Sequence, residues 1–68
     1  MNGTIKKISL ERGFGFIRGE DGNDYFFHRS ELRGRVRFED LHEGQRLNFT
    51  PQPADKGPRA IEIQPAAA

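Results

Sequence analysis

Five short β-favouring segments, each ended by glycine, proline or polar turn residues, constrain the fold of this chain more than any other feature. They are Thr4-Ile5-Lys6-Lys7-Ile8-Ser9, Phe14-Gly15-Phe16-Ile17-Arg18, Asp24-Tyr25-Phe26-Phe27-His28, Gln45-Arg46-Leu47-Asn48-Phe49-Thr50 and Arg59-Ala60-Ile61-Glu62-Ile63. Leu10-Glu11-Arg12-Gly13 reads as a turn, and Gly19-Glu20-Asp21-Gly22-Asn23 as a hairpin loop. Ser30-Glu31-Leu32 can make a short helical turn. Residues 33–44 are polar and glycine-punctuated and read as a long loop, and 51–58 form a second loop held open by proline and glycine. No segment carries a long amphipathic helix and no internal repeat is present. Five short strands in 68 residues predict an all-β, five-stranded antiparallel barrel, because closure removes exposed edges. The barrel is expected over residues 1–64, with 65–68 as a frayed, disordered tail.

Alternation along each strand then sorts side chains into two faces. The expected inward set is Ile5, Ile8, Ile17, Tyr25, Phe27, Leu32, Leu47, Phe49, Ile61 and Ile63. Ile5 and Ile8 are three apart, so strict alternation cannot bury both, and a twist or bulge is predicted between them. Once the core is filled, Phe14, Phe16 and Phe26 are left over, with His28 beside them. Three phenylalanines on the outer face of neighbouring strands make an apolar patch of a size that marks a binding surface. The alternative is that the long loop or another chain covers the patch. Unpaired bases stack on such rings, at roughly 1–3 kcal/mol per base, and His28 can stack or hydrogen-bond in the same row. Gly15 reads as relieving crowding beside the two rings, or else simply as strand curvature.

The net charge of +1 hides an uneven distribution. Arg29, Arg33, Arg35 and Arg37 lie in one stretch with a single acid, Glu31, while other acids gather near turns at Glu20-Asp21 and Glu39-Asp40. Lys6, Lys7, Arg12 and Arg18 flank the phenylalanines. Cations interleaved with aromatics form the usual surface for single-stranded RNA or DNA.

Other chemistries find little support. With no cysteine, thiolate nucleophiles, disulfides and thiolate metal sites are excluded. His28 and His42 sit in unrelated segments, His42 reading as solvated, so neither a metal site nor a catalytic site is expected, and no cofactor or small-molecule substrate is called for. Gly13-Phe14-Gly15 lacks the Lys-Ser/Thr of a phosphate-cradling loop. No apolar run is long enough to span a membrane and the start lacks a signal-peptide pattern, so a cytoplasmic, monomeric, non-enzymatic protein is expected.

Arg12-Gly13-Phe14-Gly15-Phe16-Ile17 and Tyr25-Phe26-Phe27-His28 resemble the two ribonucleoprotein motifs of the cold-shock domain family. Leu41-His42-Glu43-Gly44-Gln45 and Lys56-Gly57-Pro58-Arg59-Ala60 are similar to that family's segments before strands four and five. The resemblance thus runs in order through nearly the whole chain. It implies an oligonucleotide-binding (OB-fold) barrel acting as an RNA chaperone or antiterminator. It also implies nucleic-acid contact at Lys6, Phe14, Phe16, Phe26, His28 and Phe38. The chain departs from the family pattern at Lys7-Ile8, where an aromatic pair is usual, and at Arg29, where an aromatic usually follows the histidine. These departures exchange stacking for charge and predict weaker base preference and steeper salt dependence. A second function class remains open: a protein-interaction or dimerisation module that uses the same barrel face.

Overall fold

A computed structural model of the protein describes residues 1–34, 37–55 and 57–66. Its strands are β1 (Asn2–Ser9), β2 (Phe14–Gly19), β3 (Asp24–His28), β4 (Arg46–Gln52) and β5 (Arg59–Pro65), and they close into a barrel in the order β1-β2-β3-β5-β4. Four of the ladders are antiparallel; the closing contact, β3 on β5, is a parallel pairing of Phe26 with Arg59. Short 3₁₀ turns at Arg29–Glu31 and Phe38–Asp40 interrupt the connection between β3 and β4. The expected helical turn is therefore present one residue early, and the expected long loop contains a second one.

The bulge in β1 lies where the Ile5–Ile8 spacing places it. Ile5 pairs with Ile17 and Lys7 with Phe16, so Lys6 is the inserted residue. The insertion resets the alternation: Ile5 is buried, Ile8 packs at the core margin, and Lys6 and Lys7 both face solvent.

The core comprises Ile5, Ile17, Tyr25, Phe27, Phe38, Leu41, Leu47, Phe49, Ala60 and Ile63, with Met1, Ile8 and Leu32 packed against it. Full burial of a large side chain such as Phe27 or Phe49 stabilises the fold by roughly 1.5–3 kcal/mol. Two expectations are corrected in β5. Ile61 is only half-buried and Ala60 takes its place inside, because Glu62 adopts a left-handed backbone (φ 50°) and shifts the register against β4 between Asn48 and Thr50. Ala60 and Ile63 thus point inward three residues apart, as Ile5 and Ile8 do in β1. Pro65, expected in the frayed tail, is paired with Leu47 at the end of β5; residues 67–68 lie outside the described residues.

Gly15 faces inward with Ile17, as alternation expects, but the reason for glycine is corrected: a Cβ there would stand 2.6 Å from the Lys7 carbonyl oxygen and 2.8 Å from the Phe27 ring. Close packing of β1 and Phe27, rather than room beside the outer rings, requires glycine at this position.

Candidate nucleic-acid interface

The β2–β3 register builds the site. Phe14 lies opposite His28, Phe16 opposite Phe26 and Arg18 opposite Asp24, so these six side chains form three consecutive rows on the outer face. Lys7 extends the middle row onto β1, opposite Phe16. The rings of Phe14, Phe16 and Phe26 cluster with centroids 5.4, 5.7 and 6.4 Å apart, two of the three pairs edge-to-face. Each ring is half-buried by its neighbours and keeps part of its surface in water. The described residues of the long connection between β3 and β4 do not seal this face.

His28 shares the face and also starts the first 3₁₀ turn. Its Nδ1 accepts from the Ser30 N–H at 3.2 Å and lies 3.0 Å from the Ser30 hydroxyl. With Nδ1 as acceptor, the neutral ring carries its proton on Nε2, which is then the donor available to a ligand.

The cations divide into two groups. Lys6 and Arg18 converge on Asp24, at 2.9 and 3.1 Å, so the three side chains together carry one net positive charge. Lys7, Arg12, Arg29 and Arg37 are exposed. The Arg29 side chain folds across the β1–β2 turn, 3.1 Å from where a Cβ on Gly13 would stand, and the φ of +73° at Gly13 favours glycine there independently. Arg33 donates to the Ser30 carbonyl at 3.2 Å. Arg35 lies outside the described residues.

Phe38 is a correction. Its ring is only 8% exposed and packs edge-on against Phe27 at 6.3 Å, so it belongs to the core rather than to the stacking surface. The 3₁₀ turn at Phe38–Asp40 directs the ring inward, and burial there gains more than exposure in an otherwise polar loop.

One side chain was missed. The Arg59 guanidinium lies 5.7 Å from the Phe26 ring centroid, a cation–π distance, and both border a cleft of about 530 Å³ with Phe16 and Pro58. In sequence, nothing marks Arg59 as a partner of the rings, and alternation with Ile61 and Ile63 would even set it on their inward side; the parallel closure of the barrel brings it to Phe26. A second cleft of about 580 Å³ opens past Lys6 and Arg18 toward Thr4 and Arg46.

Two carboxylates have lowered pKa values. Asp24 is held down first by its hydrogen bond from Lys6 and then by that from Arg18. Asp21 is held down first by the Tyr25 hydroxyl, which donates to it at 2.6 Å, and then by the Asn23 backbone N–H. A depressed folded-state pKa gives stability that is present above the unfolded value and lost as pH falls through the folded one. The thermal midpoint is therefore expected to be flat near neutrality and to fall below about pH 4. In a calorimetric pH series, Asp24→Asn should flatten that acid limb, and an unchanged limb would mean the pairing contributes nothing to folding.

Among the described residues, no group of three or more His, Asp or Glu side chains is placed to hold a metal ion, and no helix is long and apolar enough to cross a membrane. A small closed barrel with a half-exposed aromatic cluster and cations on the outer face of β2 and β3 defines an oligonucleotide-binding barrel. The family model described as 'Cold-shock' DNA-binding domain matches residues 1–66, and the chain belongs to this cold-shock domain family. It is 44% identical over 64 residues to cold shock protein 1 of Lactiplantibacillus plantarum, covering 94% of this chain and 96% of that protein. It is 43% identical over 63 residues to the major cold shock protein CspA of Pseudomonas aeruginosa, covering 93% and 90%. Among solved structures it is similar to drosophila Unr CSD456, with a TM-score of 0.71 and 25% identity; the match spans 97% of this chain and 26% of that longer one.

Proposed function

We propose that this protein binds single-stranded RNA or DNA by stacking unpaired bases on Phe14, Phe16 and Phe26, and that it acts as an RNA chaperone or antiterminator. The observation that carries the reading is the half-exposed three-ring cluster, flanked by His28, Lys7 and the Lys6–Arg18–Asp24 group. Binding only the open strand draws RNA away from its paired forms by mass action and needs no ATP. The protein works as a cytoplasmic monomer without cofactor or catalysis, a reading supported by its family and by its similarity to bacterial cold shock proteins. Those similarities favour nucleic acid over a protein partner for this face.

Chemical-shift mapping with short uridine, thymidine and cytidine oligomers tests the proposal. The expected result is movement centred on Phe14, Phe16, Phe26 and His28. Unmoved signals on this face, together with self-association of the protein, would favour the interaction-module reading instead.

Replacement of the first-strand aromatic by Lys7, with Arg29 after His28, makes affinity more dependent on phosphate contacts. Each phosphate neutralised on a single strand contributes about −0.7 to the slope of log affinity against log salt. Neutralisation of three to five phosphates gives an expected slope of about −2 to −3.5. A titration from low to physiological salt measures it, and a flat response would remove these cations from the interface.

A further inference from the structure

The cleft beside the aromatic cluster has features that stacking alone does not need. Its lining includes Phe16, Phe26 and Pro58 together with two residues of opposite charge, Arg59 and Asp55. These two charges do not pair with each other; the ion pairs among the described residues are both on Asp24. The segment that carries Asp55 is tied down at both ends. Gly57 N–H donates to the Ala54 carbonyl at 3.0 Å, which closes the turn around Asp55, and Phe26 N–H donates to the Pro58 carbonyl at 3.3 Å, which fastens the loop to β3. The cation–π contact holds Arg59 against the ring of Phe26.

Resting on the single-strand binding proposed above, we infer that this cleft is a guanine-selective base site, with Arg59 and Asp55 as its specificity-determining residues. Guanidinium presents paired donors and carboxylate presents paired acceptors. Guanine alone among the common bases offers a matching set: adjacent acceptors at O6 and N7, and adjacent donors at N1 and N2. Arg59 meets the O6/N7 edge and Asp55 meets the N1/N2 edge, while the phenylalanine rings take the base face. Uracil and thymine alternate acceptor, donor and acceptor, adenine sets its N6 donor between two acceptors, and cytosine offers adjacent acceptors at O2 and N3 but no adjacent ring and amine donors for the carboxylate. Each of these leaves at least one charged partner half-satisfied. A bidentate pair discriminates against the wrong base by roughly tenfold.

Fluorescence titration of thymidine heptamers, carrying one guanine, adenine or cytosine at each position in turn, tests this assignment. One guanine register is expected to bind about tenfold more tightly than the thymidine heptamer, with no equal gain for adenine or cytosine. Inosine, which lacks the N2 amine, should recover only part of the gain, and 7-deazaguanine should lose the share owed to Arg59. Asp55→Asn and Arg59→Gln should each reduce the guanine-to-thymine ratio severalfold while the thymidine heptamer still binds. Equal affinity for all substituted heptamers, or a preference that survives both variants, overturns the guanine assignment and leaves the stacking proposal standing. Failure of every heptamer to bind overturns both.

Discussion

Replacing Phe14 and Phe16 together with alanine is expected to weaken binding to oligo(U) or oligo(dT) by at least about thirtyfold, since each lost stacking partner contributes roughly 1–3 kcal/mol. The variant should remain folded. Both rings lie on the outer face, half-exposed, and make their aromatic contacts with each other and with Phe26 rather than with the core. The thermal midpoint and the oligonucleotide affinity therefore separate the two roles. Full affinity in a folded double variant would remove the rings from the interface. Loss of fold would mean that the cluster is a second, outer core, and single substitutions at each position would then show which ring supports the barrel. Phe26 is the less clean target, because its removal also frees Arg59.

Gly15→Ala is expected to do the opposite, costing stability while leaving the outer face in place. The added methyl meets the Lys7 carbonyl oxygen and the buried Phe27 ring at distances that real Cβ atoms essentially never adopt. Overpacking of this kind costs roughly 1–3 kcal/mol. A domain of this length has roughly 3–10 kcal/mol in total. The thermal midpoint should fall by roughly 5–20 °C, which circular dichroism would register. Below that transition, the folded variant should still bind oligonucleotide. A variant with unchanged midpoint but lost affinity would return Gly15 to a role beside the stacking rings.

How much of this was legible in the chain follows from the range of each determinant. The β1 bulge was legible because two isoleucines three apart on a strand can both be buried only if one residue is inserted. Phe14, Phe16 and Phe26 were legible because alternation within β2 and β3 puts them opposite Ile17, Tyr25 and Phe27. Phe38 was not legible: nothing in a polar loop states which way one ring turns, and only contact with Phe27 decides it. The pairing of Lys6 and Arg18 on Asp24 was equally hidden, although it lowers the charge available to phosphate.

Strand number, barrel class, the aromatic face and its basic surroundings were fixed by local spacing, since side-chain direction in a strand depends only on neighbours along the chain. The inward turn of Ala60, the burial of Phe38 and the arrival of Arg59 over Phe26 were decided by tertiary structure. Each depends on which strand lies alongside which, and β3 meets β5 only when the barrel closes, joining residues 33 positions apart at Phe26 and Arg59.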